Sequence, residues 1–363
     1  MRTSGIVPVL APGGATMNEA ASRRQASNVN SWRRGVAIPE HAFFFSPLAA
    51  LALFVALAAD IPVTEHTAPR GRRPIERAGA GENHSLLPAV IDMRLTAGAF
   101  AGGPTADAAV HVPPGFDPAR RPGVIVYFHG WYGCVAAALA EQDLPCSDGG
   151  DPRSAGGLAR QIDTARVNAL VVAVELRPDM ATGETGRLAS PGGLRGLLRE
   201  VFATLAAAIG ARLDVDALDR VVVIAHSGGY QAAASVVELG DVPSITEVDL
   251  LDGLYGGDDV FLSWIRDTVA LFDPRLRGPR FVDLYTCCGG TLDRSRAIAA
   301  EAKAAAELAG WSDVVYDDDG DAELDPKALT HPIVFKRVPR SHRELPLAYV
   351  RALVESAGFA ETR

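Results

Sequence analysis

Short runs of uncharged, mostly β-branched residues recur from about residue 107 to the end of this chain, and most are followed by a stretch with helical spacing. The clearest are "GVIVYFHG" (123–130), "ALVVAVEL" (169–176) and "RVVVIAHS" (220–227). They show no alternation of apolar and polar residues, so both faces must be buried, as in parallel strands covered by helices. Further strands are expected at 107–112, 247–253, 280–286 and 333–338, and helices at 154–164, 191–211, 229–239, 293–309 and 345–357. This repetition predicts an α/β fold: a doubly wound, mostly parallel sheet with helices on both faces. A chain 48% hydrophobic and 22% charged has ample material for such a core.

The N-terminal quarter reads differently. Residues 43–59, "FFFSPLAALALFVALAA", carry no charge, Arg33 and Arg34 lie upstream, and Ala56-Leu57-Ala58 forms a small-residue cleavage site. A basic region, an apolar core and small residues at the cut make a secretory signal. The expectation is an exported protein, periplasmic or secreted; the alternative is an uncleaved membrane anchor, since the run approaches the length that spans a bilayer. The polar stretch before residue 35 is long for such a signal, and a start downstream of Met1 would explain it. Residues 1–58 are thus read as a leader, 59–87 as a Pro-, Gly- and Arg-rich linker, and 88–363 as the catalytic domain.

A formal net charge of -9 excludes a nucleic-acid partner, because there is no basic stripe to neutralise phosphates. The acidic run "DDDGDAELD" (317–325) fails the calcium-loop spacing, since with Gly320 sixth the first ligand would be Val315 and the twelfth Pro326. It reads as a solvated surface loop. Cys134 and Cys146 match no zinc spacing and, in an exported protein, are expected to pair; adjacent Cys287 and Cys288 read as buried thiols.

The chemistry gathers at "VVVIAHSGGY" (221–230). Ser227 closes a buried strand just before a helix, with Ala225 and Gly229 two residues to either side. A tight strand-to-helix passage thrusts the middle side chain outward and needs small neighbours; alanine replaces the usual first glycine. A serine hydroxyl needs a base, and His342 in "VPRSHRELP" follows the last strand, again at a carboxyl end. "VIVYFHGWYGC" (124–134) offers a loop for an oxyanion hole, with donors from Gly228 and Trp131 and with Gly130 permitting close approach.

From about residue 100 to 360 the chain resembles the α/β-hydrolase superfamily, on "HVPPGFDP" (111–118), "YFHGW" (127–131), "LDRVVVIAHSGGY" (218–230) and "SHREL" (341–345). Within it, "VPPGFDP" with a His-Gly loop is similar to secreted esterases and depolymerases, including feruloyl-esterase and polyester-depolymerase relatives. The resemblance implies acyl transfer to Ser227 and hydrolysis of a small or polymeric ester, or less readily an amide, without metal or organic cofactor. An acyltransferase using the same residues and a non-catalytic binding protein on the same fold remain open. Two aspartates compete to orient His342. Asp293, after the strand at 280–286, is where most of the superfamily carries its acid. Asp252 follows Leu250-Leu251, which should bury it beside the serine, where a carboxylate needs a partner. Asp293 stands at a helix start, where capping is a sufficient task, so Asp252 is preferred and Asp293 kept as the alternative.

Overall fold

Nine strands form one sheet, and its centre is where the chain reverses its direction of winding. The computed structural model describes residues 89–103, 105–147, 149–177, 184–210 and 212–362, all within one compact unit, Ala78–Arg363. The leader and the linker expected at 1–87 lie outside the described residues. No described helix is long and apolar enough to cross a membrane.

In chain order the strands of the main sheet are β1 (Ala89–Met93), β2 (Ala108–Val112), β3 (Gly123–Phe128), β6 (Ala169–Val174), β7 (Arg220–His226), β8 (Ile245–Leu251), β9 (Arg280–Tyr285), β10 (Val315–Asp318) and β11 (Ile333–Arg337). A separate hairpin, β4 (Leu144–Pro145) with β5 (Pro152–Arg153), lies in the loop between β3 and β6. The helices are α1 (Val135–Leu139), α2 (Leu158–Ala165), α3 (Gly193–Ile209), α4 (Tyr230–Leu239), α5 (Asp258–Ala270), α6 (Leu292–Leu308) and α7 (Leu345–Ser356). The strand order is β1-β2-β6-β3-β7-β8-β9-β11-β10, with β2 antiparallel to both neighbours and every other pair parallel.

Every residue of β3 and β6 is buried. Val124, Val126 and Phe128 join one core beneath α3, α4, α5 and α6, while Ile125 and Tyr127 join the other, beneath α1, α2 and α7. That two-sided burial is why these runs carry no polar alternation. After β3 the chain adds β6 on one side, then returns past β3 to add β7 on the other. This reversal opens a crevice at the carboxyl ends of β3 and β7, where open α/β sheets carry their sites.

Besides the short α1 and the β4–β5 hairpin, which were not expected, the structure differs from the sequence expectations in four places. β1 is an added antiparallel edge strand. α5 was not expected, although Phe261, Leu262, Ile265 and Val269 recur at helical spacing and are buried. The acidic run is not wholly a loop: Asp317 and Asp318 end β10, and Lys303, Lys336, Arg296 and Arg340 pair with Asp317, Asp318, Asp319 and Glu323. Cys287 and Cys288 are exposed rather than buried, and they are joined to each other.

Candidate active site

β7 delivers Ser227 to the crevice. The strand ends at His226, a single helical turn of Ser227–Gly229 follows, and α4 begins at Tyr230. So abrupt a change of direction places Ser227 at φ +54, a region costly for any residue with a Cβ. Gly229 shows why the position is restricted: a Cβ there would lie 2.6 Å from the Phe128 carbonyl oxygen of β3. The Ser227 side chain is more buried than the sequence implied, at 9% exposure.

His342 sits in a turn between β11 and α7, held by a reciprocal cap in which Ser341 and Glu344 bind each other's polar groups. Its Nε2 lies 2.8 Å from Ser227 Oγ and its Nδ1 2.7 Å from Asp252 Oδ2. Asp252 directly follows β8 at φ +46, fully buried, with its N–H given to the Leu284 carbonyl of β9. Burial would raise the pKa of this carboxyl. Hydrogen bonds from His342, Thr291 and Thr286 outweigh burial and hold it below the usual carboxylate range. Asp252 is therefore an ionised acceptor, His342 carries its proton on Nδ1, and Nε2 is free to accept the Ser227 hydroxyl. Gly289 lies so close to the carboxylate that a Cβ there would overlap Asp252 Oδ2. Asp293, the alternative acid, is exposed in the first turn of α6 with no contact to His342.

The loop after β3 closes the other side. Gly130 packs against Ser227, and Trp131 lies directly over Gly228. The Gly130 carbonyl accepts from His129 Nδ1 at 2.8 Å and from the Gly133 N–H at 3.0 Å. In a trans peptide the following N–H points the opposite way, so these two bonds orient the Trp131 N–H. His129 is in turn fixed through Nε2, which lies 2.9 Å from buried Glu175 Oε1 at the end of β6 and 3.0 Å from the Leu176 N–H. The Cys134–Cys146 disulfide ties this loop to the β4–β5 hairpin.

Three contributors escaped the sequence reading. His226, next to the serine, donates its Nε2–H to the His342 carbonyl at 2.9 Å. Burial and the adjacent His342 imidazole push its pKa down to about 3, so it stays neutral. Glu175 and the Thr286/Thr291 pair were likewise missed, because they act on other site residues and match no motif of their own. The cavity over Ser227 is about 240 Å³ and is walled by Trp131, Tyr132, Arg153, His342 and Arg343 among others. Among the described residues no group of three or more His, Cys, Asp or Glu stands ready to hold a metal ion.

A sheet wound from β3 outward in both directions, a serine at φ +54 behind its central strand, and a histidine after the last parallel strand complete the pattern. The fold is that of the α/β-hydrolases. No protein-family model and no curated protein sequence matches the chain. Among solved structures it is similar to the feruloyl esterase module from Clostridium thermocellum, at 11% identity and TM-score 0.45, covering 74% of this chain and 86% of that one. It is also similar to an S-formylglutathione hydrolase from Staphylococcus aureus, at 12% identity and TM-score 0.41, covering 77% and 100%. At that level of likeness it is the strand order and the elbow of this chain that define its fold.

Proposed function

We propose that this α/β-hydrolase-fold chain is a serine hydrolase that cleaves carboxylic esters through an acyl-enzyme. The observation that carries the proposal is the unbroken row Ser227 Oγ, His342 Nε2, His342 Nδ1 and Asp252 Oδ2, at 2.8 and 2.7 Å. Ser227 Oγ attacks the acyl carbon while its proton passes to His342 Nε2, and Asp252 stabilises the resulting imidazolium. The oxyanion is received by the N–H groups of Gly228 and Trp131. His342 then protonates the departing alkoxide, and a water deprotonated by the same nitrogen releases the acid and restores Ser227.

The protein is proposed to act outside the cytosol. All four of its cysteines are paired, at Cys134–Cys146 and Cys287–Cys288, which fits an oxidising compartment. The mature chain should begin at Ala59, as read by mass analysis of secreted material.

A fluorophosphonate probe and a panel of p-nitrophenyl esters of rising chain length test the hydrolase reading. Wild-type protein should be labelled at Ser227 and turn over at least the short esters. The S227A variant should fold, resist labelling and lose turnover by ~10⁴-fold or more. Esterase activity surviving in purified S227A would overturn the assignment.

A further inference from the structure

Two arginines line the cavity over Ser227, and they approach from different parts of the chain. Arg153 comes from β5, in the hairpin stapled to the oxyanion loop through Cys146, and its guanidinium sits 5.4 Å from the centre of the Tyr132 ring. Arg343 directly follows His342 in the turn before α7. Both belong to the wall of the same 240 Å³ cavity. Among the described residues neither has a carboxylate partner.

Among the described residues other arginines, such as Arg120 and Arg199, also lack a carboxylate partner, so it is the place of these two in the wall of the cleft that sets them apart. Arg121, Arg160, Arg195, Arg294, Arg296 and Arg340 each hold a carboxylate on the surface. The chain carries 44 acidic against 35 basic residues, so acids are plentiful. Most carboxylates near the cleft are engaged elsewhere, while exposed Asp151 borders an adjoining cavity. Asp143 also lines the cleft, but its Oδ1 accepts the Ala155 N–H at 2.8 Å. Glu344 is bound to Ser341, and Asp252 is fully buried behind His342. A cleft of net positive charge in an acidic protein is a local field aimed at an anion, and planar guanidinium groups match carboxylates best.

We infer that the cleft selects esters bearing a carboxylate, held by Arg153 and Arg343 while Ser227 attacks the ester carbon. The inference rests on the hydrolase reading above. The carboxylate belongs to the acyl group, as in a half-ester of a dicarboxylic acid, or to the leaving group, as in an ester of a hydroxybenzoate. Stacking of Arg153 on Tyr132 keeps its fork in place, which lowers the entropy lost on binding. Arg153 also borders an adjoining cavity of about 480 Å³ walled by Phe100 and Leu176, which gives room for an apolar body next to the charge.

Matched pairs of substrates read the preference. For the acyl arm, the p-nitrophenyl half-ester of adipic acid is compared with p-nitrophenyl heptanoate. For the leaving-group arm, p-acetoxybenzoate is compared with p-tolyl acetate. In one arm kcat/KM should favour the anion by about 10-fold or more, and R153A or R343A should lower that anion-to-neutral ratio by about 10- to 100-fold. R266A, on the outer face of α5, should leave the ratio where it is. Titration of wild type with adipate and with p-hydroxybenzoate should show binding of one of them that R153A and R343A abolish. This measurement needs no turnover, so a protein that binds the anion through these arginines yet cleaves no ester would refute the hydrolase reading and leave only the carboxylate site standing. Neutral esters preferred in both arms, ratios unmoved by R153A and R343A, or no carboxylate binding would each overturn the inference.

Discussion

His226 and His342, adjacent to the nucleophile and acting as its base, are joined by a hydrogen bond from the Nε2 of the first to the main-chain oxygen of the second, 2.9 Å long. The elbow thus fixes the distance between serine and imidazole through a neighbour as well as through the Ser227–His342 bond itself. Because β7 and the turn before α7 are 115 residues apart along the chain, this pin relates two elements that nothing local holds together.

Replacing His226 with Phe keeps the ring and removes the donor. We expect kcat to fall by ~10- to 100-fold, the worth of one buried hydrogen bond, with slower fluorophosphonate labelling of Ser227. The same residue sets part of the acid sensitivity. Its pKa is lowered to about 3 in the fold, against ~6.5 unfolded, so between those values only the unfolded chain takes up the proton. Stability from this group is complete above pH ~6.5 and is lost as pH falls through that window. Melting curves at pH 7 and pH 4.5 should show a larger drop for wild type than for H226F; equal drops would remove His226 from the account.

The acid is tested by a pair of substitutions. D252N should lower kcat by ~10⁴, because an amide cannot hold His342 in the Nδ1-protonated tautomer. D293N should stay within about twofold of wild type in kcat and lose at most ~1 kcal/mol of stability, since Asp293 only faces the N-terminal end of α6. A dead D293N beside a working D252N would reverse the assignment.

The contrast between these two aspartates also marks how far the sequence could be read. The parallel sheet was legible because β3, β6 and β7 are buried on both faces, and that burial leaves unbroken apolar runs. Ser227 and His342 were legible because each stands at a strand's carboxyl end among small or turn-forming residues. Asp252 and Asp293 stood at equivalent strand ends, so burial had to be inferred to choose between them. His226, Glu175 and Thr286 were not legible: their partners lie 34 to 116 residues away, at distances fixed only by strand order. The exposed Cys287–Cys288 pair was misread because the adjacent apolar strand invited the assumption that burial continues past its end.

Opening the Cys134–Cys146 bridge should act on catalysis more than on folding. It closes a short loop that follows Tyr132 and leads into the β4–β5 hairpin; α1 within that loop is held in the second core by Val135, Ala138 and Leu139 whether or not the bridge is present. C134S/C146S should lose about 10-fold or more in kcat/KM, as the Trp131 donor and Arg153 lose their tether. A melting temperature that collapses with activity intact would place the bridge in the stability of the fold instead.

Asp283 gives the last prediction. It lies in the middle of β9, fully buried, and neither carboxyl oxygen has a hydrogen-bond partner among the described residues. Burial raises its pKa to about 8, with the nearby charge of Asp252 adding to it and the neighbouring Ser295 hydroxyl, too poorly placed for a full hydrogen bond, only partly opposing it. The unfolded carboxyl ionises near ~3.9, so from there up to pH 8 the folded chain holds a proton that the unfolded chain has released. The fold therefore loses stability as pH rises through that window. Asn has the same shape and never ionises, so D283N should melt above wild type at pH 8, by at least ~2 °C for each kcal/mol relieved. At about pH 3, well below ~3.9, the wild-type carboxyl is mostly protonated in either state and the pH-dependent advantage should be nearly gone. A difference between D283N and wild type that does not change with pH would show that Asp283 is not held neutral within β9.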